Sequence, residues 1–191
     1  MNKLYLCSLS LVLIAVYAIL CDAHQAPPPP PPPAKPIKTV GKAEVYYFKS
    51  ANKTAVKTNL PIYDRKTDGK LDTLGLQVRF EVNGEKVIAP GLVLLEFITQ
   101  TFEPKFATSE GRYLTILVDD REIGAGEMRV VNTTKWPQGN HTEWVGTAIT
   151  FDTFKRIAKA GKVMMRLGKI EIELKDVQLD PLRDMLRTIE P

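Results

Sequence analysis

The stretch Leu74 to Gly84 reads LGLQVRFEVNG. Leu74, Leu76, Val78, Phe80 and Val82 alternate with Gly75, Gln77, Arg79 and Glu81. Successive side chains of a β-strand point to opposite faces, so this pattern spells a strand with one apolar and one wet face. Asn83-Gly84 follows at once. Asn-Gly accepts the positive φ that both central positions of a tight hairpin need, so Glu85 to Ile88 reads as the return strand. A half-wet strand in a hairpin belongs to an antiparallel sheet.

Working outward, Val45 to Phe48 is rich in β-formers and reads as the first strand. Leu60 to Gly69 holds Pro61 and Asp68-Gly69 and reads as a loop, or a short strand ending in a turn. Pro90-Gly91 ends the first hairpin. Leu92 to Thr99 is apolar on both faces apart from Glu96, which suits a central strand covered on both sides. Tyr113 to Val118, Asp119-Asp120 and the residues from Glu122 form a second hairpin signal. Met128 to Val131 and Glu143 to Thr150 read as further strands, separated by a polar loop, Asn132 to His141, that carries Trp136.

The period then changes. Phe151, Phe154, Ile157 and Ala158 fall at helical spacing, with Asp152 as the expected N-cap and Gly161 past the end. Val163, Met165 and Leu167 alternate, Gly168-Lys169 turns, and Ile170, Ile172 and Leu174 alternate back. Leu179, Leu182, Met185, Leu186 and Ile189 line one stripe of a last helix. Pro181 fits its first turn if Asp180 caps it; the other start is near Asp176. Three hairpins without strand–helix–strand alternation predict an α+β fold, mainly antiparallel β and sandwich-like, with two short helices in the C-terminal half.

The run TFKRIAKAGKVMMRLGKIEIELKDVQLDPLRDML, Thr153 to Leu186, resembles the C-terminal part of uncharacterised secreted bacterial β-rich proteins. In these a helix ending in Ile-Ala-x-Ala leads to a strand, an Arg-Leu-Gly turn, a strand and a Leu-rich helix. In outline it is also similar to small periplasmic proteins near invasion-associated or secretion-associated families. The resemblance implies a bacterial exported origin and carries no site residue.

The N-terminus is consistent with export. Lys3 precedes a nearly unbroken apolar run, Leu4 to Leu20, and Cys21 and Ala23 are the small residues of a cleavage site. The expected organisation is a signal peptide over 1–23, a proline-rich disordered linker over 24–40 and one β-rich globular domain over 41–191. Cleavage after Ala23 discards Cys7 and Cys21, leaving a secreted or periplasmic domain held by its core alone. Two other readings stay open. The apolar run reaches roughly the 17 residues that a membrane anchor needs. Cys21 could carry a lipid, although Leu20 is larger than the small residue that lipidation prefers. Pro27 to Pro33 favour an extended left-handed helix of roughly 3 Å per residue, a stiff spacer about 20 Å long.

The net charge of +4 is mild and the signs are interspersed, so no nucleic-acid footprint stands out. The expected partner is an unknown envelope or extracellular molecule, with a membrane tether only through the N-terminus. Ser50 and Ser109 sit in no nucleophile elbow, and His141 is the sole histidine beyond the leader. A hydrolase would have to use His141 with nearby carboxylates; Glu96, Glu143 and Asp152 are the carboxylates from which a pair could be drawn. Asp119, Asp120 and Glu122 could bind Ca²⁺ on composition, but Asp-Asp is also a good hairpin turn and is read as one. No metal site, cofactor or catalytic residue is expected. The expected binding residues are Trp136, Asn140 and His141, because rings on exposed loops make binding platforms; a carbohydrate-binding module using Trp136 is one form of that reading. The opposing reading puts Trp144 in the core and folds Trp136 over an edge. Asn52, Asn132 and Asn140 each open an Asn-x-Thr triplet, which marks three exposed loops whether or not a glycan is added.

Overall fold

A computed structural model describes residues 38–67, 70–124 and 126–189. The chain divides at Ala34/Lys35, and the described residues all belong to the second unit. The leader, most of the proline-rich segment and Asp68-Gly69 lie outside them.

In chain order the strands are β1 (Lys38–Val40), β2 (Ala43–Phe48), β3 (Lys53–Thr67), β4 (Lys70–Asn83), β5 (Leu92–Thr101), β6 (Tyr113–Val118), β7 (Arg121–Glu122), β8 (Gly126–Glu127), β9 (Arg129–Lys135) and β10 (His141–Thr150). Helix α1 (Phe151–Lys159), strands β11 (Val163–Leu167) and β12 (Ile170–Leu174), and helix α2 (Asp176–Arg187) complete the fold. The larger sheet has the order β1-β2-β3-β4-β5-β10-β9. The smaller runs β12-β11-β6, with β7 and β8 each pairing part of β6. Every pairing is antiparallel. The fold is α+β and mainly antiparallel β.

The core lies on the inner face of the large sheet. Val45, Val56, Leu76, Val78, Phe80, Leu95, Phe97 and Val145 are buried there, and Leu114, Ile116, Val163, Met165 and Ile172 of the small sheet join the same cluster. From the helices, Phe154, Ile157, Leu179, Leu182 and Met185 complete it. Arg183 of α2 donates to the carbonyls of Ala158 (3.3 Å) and Ala160 (3.4 Å), satisfying acceptors at the end of α1. Between β8 and β9 the chain leaves the small sheet for the large one. Met128, 1% exposed, marks the crossing, and its N–H donates to Arg112 O.

Several expectations are corrected. The sheet begins at Lys38, because β1 pairs with β2 inside the span read as linker. No strand follows Asn83-Gly84. Thr54 Oγ1 donates to the carbonyls of Gly84 (2.6 Å) and Glu85 (3.1 Å), so that backbone is held by the start of β3 instead of a return strand. The strand that does return is β5, which pairs Leu94–Thr101 with Asp72–Arg79. Of the two readings of Leu60 to Gly69, the strand is the one found through Thr67, where a bulge between Pro61 and Tyr63 takes the proline into β3. Asn132 stands on β9, not in a loop. Thr150, not Asp152, caps α1, its side chain accepting from Thr153 N. Of the two starts offered for the last helix, α2 takes the one at Asp176, so Pro181 sits past the first turn.

The Asp119-Asp120 and Gly168-Lys169 turns stand where the pattern puts them. Asp119, Asp120 and Gly168 all have positive φ. Asp119 Oδ1 also accepts from Gly161 N and Lys162 N, which ties this turn to the start of β11.

Candidate binding face

The outer face of the large sheet is built by the wet half of each alternation. Strand β2 gives it Glu44 and Tyr46, β3 gives Lys53, Lys57 and Asn59, and β4 gives Gly75, Gln77, Arg79 and Glu81. Leu94, Glu96 and Ile98 come from β5, and Thr142, Trp144, Gly146 and Ala148 from β10. Cross-strand register sets the rows. Gly75, Ile98 and Trp144 form one; Asn59, Gln77, Glu96 and Gly146 form the next. Strand β5 is central as expected, but among the described residues only its inner face is covered by a second layer; Glu96 belongs to the outer one.

Glu96 is nevertheless 4% exposed. Arg79 clasps it with two donors, Nε to Oε2 at 2.9 Å and Nη2 to Oε1 at 3.3 Å. The hydrogen bonds to Glu96 hold the Arg79 guanidinium above its ordinary pKa, against the opposing effect of burial. Fork-to-carboxylate geometry of this kind fixes orientation as well as charge. Lys53 pairs with Glu81 at 3.6 Å, and Lys57 with Glu44 at 3.6 Å while resting over the Tyr46 ring. Lys53, Lys57 and Arg79 thus each pair with a carboxylate of this face, while Asp64 and Lys66 stand exposed at its far end. Gln77 Nε2 donates to Asn59 Oδ1 at 2.7 Å.

Two recesses flank the centre. A groove of about 510 Å³ runs past Leu94, Glu96, Gly146, Ala148, Arg129 and Val131. A dimple of about 280 Å³ opens over Gly75 between Pro61 and Ile98. Trp144 stands beside both, next to Ile98 in its row and two residues from Gly146 on its strand.

Of the expected binding residues, Trp136 joins this face. Its Nε1 donates to Thr142 Oγ1 at 2.9 Å, which ties the ring to the strand position two residues before Trp144 on the same face. Asn140 serves through its backbone, whose carbonyl accepts from Trp136 N and closes the turn. His141 faces the other way, on the side of Glu143. Trp144 lies half-buried on the outer face, not in the core.

The carboxylates weighed for hydrolysis are spread apart. Glu96 is on the outer face and Glu143 on the inner one. Asp152, on α1, pairs with Lys155 at 2.8 Å in open solvent. Both oxygens of Glu143 accept from the backbone N–H groups of Lys105 and Phe106, pinning the loop after β5. Lys105 Nζ in turn donates to Asp72 (2.6 Å) and Tyr63 (2.8 Å). Burial pulls its pKa down, and the hydrogen bonds and charge attraction of Asp72 and Tyr63 together raise it above its ordinary value. These contacts fasten the loop after β5. Among the described residues no group of His, Cys, Asp and Glu is placed to hold a metal ion, and no helix is long and apolar enough to cross a membrane.

The alternation Gly75-Gln77-Arg79-Glu81 was itself the signal for this face. What the sequence lacked was the lateral neighbours that make Glu96 and Trp144 its centre. No family model, curated protein or solved structure matches the chain.

Proposed function

We propose that this chain is an exported, non-enzymatic binding domain carried on a proline-rich spacer, and that its working surface is the open face of the large sheet. The observation that carries this reading is a buried carboxylate, Glu96, fixed by Arg79 at the centre of a face that also presents Trp144 and Trp136. Fixed hydrogen-bonding groups beside aromatic rings suit a hydroxyl-rich ligand, and a centre where Arg79, Lys53 and Lys57 are each paired with a carboxylate suits a neutral one. The ligand class is therefore a neutral glycan of the cell envelope or its surroundings. The apolar leader supports export, with release into the periplasm or medium after Ala23.

Tryptophan fluorescence of the full-length chain titrated with soluble cell-wall fragments tests the reading. The expected result is a saturable shift that Trp144→Ala weakens at least tenfold and His141→Ala leaves within twofold, since His141 faces the other side. A shift that survives Trp144→Ala and disappears with His141→Ala would move the site off the open face, to the end of β10 where His141 stands.

A further inference from the structure

Gly75 occupies the middle of a central strand, where glycine weakens pairing and a β-branched residue would fit better. Two local needs usually explain such a glycine, a positive φ or a close approach. Neither applies. Its φ is outside the positive region. A Cβ built on it would meet only Leu60 O, at 3.8 Å, an ordinary contact. Gly146 on the same face is the opposite case: its Cβ would lie 3.2 Å from Val131 Cγ2 and 3.3 Å from Glu96 Cγ, so packing asks for glycine there. Gly75 keeps a space open that the fold does not use.

That space has a definite chemistry. Pro61 and Ile98 are the register neighbours of Gly75 and give it apolar walls. Gln77 and Asn59 stand on one side and Trp144 lies one strand beyond Ile98. The Gln77–Asn59 hydrogen bond uses one amide donor and one amide acceptor, leaving Gln77 Oε1 and Asn59 Nδ2 at the rim. At about 280 Å³ the dimple lies just below the roughly 300–1,000 Å³ range of whole ligand sites, a size for one ring and not for a large molecule.

We propose that the dimple over Gly75 is a subsite for a single pyranose ring of a neutral glycan, seated with its C–H face on Pro61, Gly75 and Ile98 and its hydroxyls toward Gln77 and Asn59. This deepens the binding reading and rests on it. A pyranose presents an apolar face of axial C–H groups and an equatorial belt of hydroxyls, which matches an apolar floor with an amide rim. The lack of unpaired charge among Arg79, Glu96, Lys53, Glu81, Lys57 and Glu44 favours an uncharged ring over a charged one.

The test is isothermal titration of the full-length chain with two neutral probes, the tetramer of N-acetylglucosamine and cellotetraose, using wild type, Gly75→Ala, Gly75→Val and Trp144→Ala. Thermal unfolding of each variant runs alongside. The expected result is that at least one probe binds the wild type. Gly75→Ala then weakens it severalfold and Gly75→Val at least tenfold, with unfolding midpoints equal to or above wild type. Gly75→Val binding within twofold of wild type, while Trp144→Ala loses the probe, overturns the subsite and leaves the binding face standing. A clear fall in the midpoints of both glycine variants also overturns it, because the glycine would then serve the fold. If neither probe binds the wild type, the subsite and the glycan reading fall together.

Discussion

Thr99 and Glu143 are register neighbours on the inner face of the large sheet, and they treat their polar atoms in opposite ways. Both oxygens of Glu143 are satisfied by backbone N–H groups. Thr99 is fully buried and its Oγ1 has no partner. A buried hydroxyl without a hydrogen bond costs about 1–3 kcal/mol, and valine has the same shape, no hydroxyl and a higher preference for strands. Thr99→Val is therefore expected to raise the unfolding free energy by about 1 kcal/mol, read as a higher urea midpoint at unchanged slope. A lower midpoint would mean that the hydroxyl is bonded in solution. The sequence marks Thr99 only as the end of an apolar run. Its lack of a partner depends on which side chains β4 and β10 place beside it, and no local pattern carries that. Gly75 was legible as a member of the wet face, but its vacancy was not, since that depends on Pro61 entering the sheet through the β3 bulge.

At the scale of elements, the docking of α2 depends on one glycine. Gly41, in the β1–β2 turn, has φ +56° and lies against the Asp184 carboxylate, where a Cβ would collide with it. Asp184 is 7% exposed; it accepts from Lys42 N at 2.9 Å and from Arg187 Nη1 at 2.6 Å. Left-handed backbone alone costs a non-glycine residue roughly 1–3 kcal/mol. Gly41→Ala should cost at least that much in chemical denaturation. In an Asp184→Ala background the steric part should vanish, so a double-mutant cycle should show coupling between the two positions. Strict additivity would place the whole cost in the φ angle. Contacts of this kind separate the legible elements from the others. Asp119-Asp120 and Gly168-Lys169 close hairpins whose chemistry lies within a few residues, and the pattern locates both. The strand expected after Asn83-Gly84 is absent because Thr54, some thirty residues earlier, takes the carbonyls of Gly84 and Glu85. The apolar run of β5 suits a strand covered on both sides no better than one whose outer face is half-shielded by Arg79 and Trp144, because hydrophobicity alone does not distinguish the two.

For the molecule as a whole, the question is whether two sheets and two helices fold as one. The inner residues of both sheets and the stripes of both helices belong to a single cluster, with Phe106 and Met128, from the connections, buried inside it. Removing either sheet would expose the core face of the other, so no part should melt ahead of the rest. The two tryptophans make this testable. Trp144 lies on β10 and Trp136 is bonded to Thr142 of the same strand, so tryptophan fluorescence reports the large sheet alone. Far-UV circular dichroism also reports the small sheet and the helices. The expected outcome is that fluorescence and dichroism give one urea midpoint and one slope. An earlier dichroism transition would mean that α1, α2 and the small sheet form a separable layer over a large sheet stable without them. The open face could then keep its ligand after that layer had melted, and unfolding followed with and without the bound probe would show the ligand raising only the later, fluorescence-detected step.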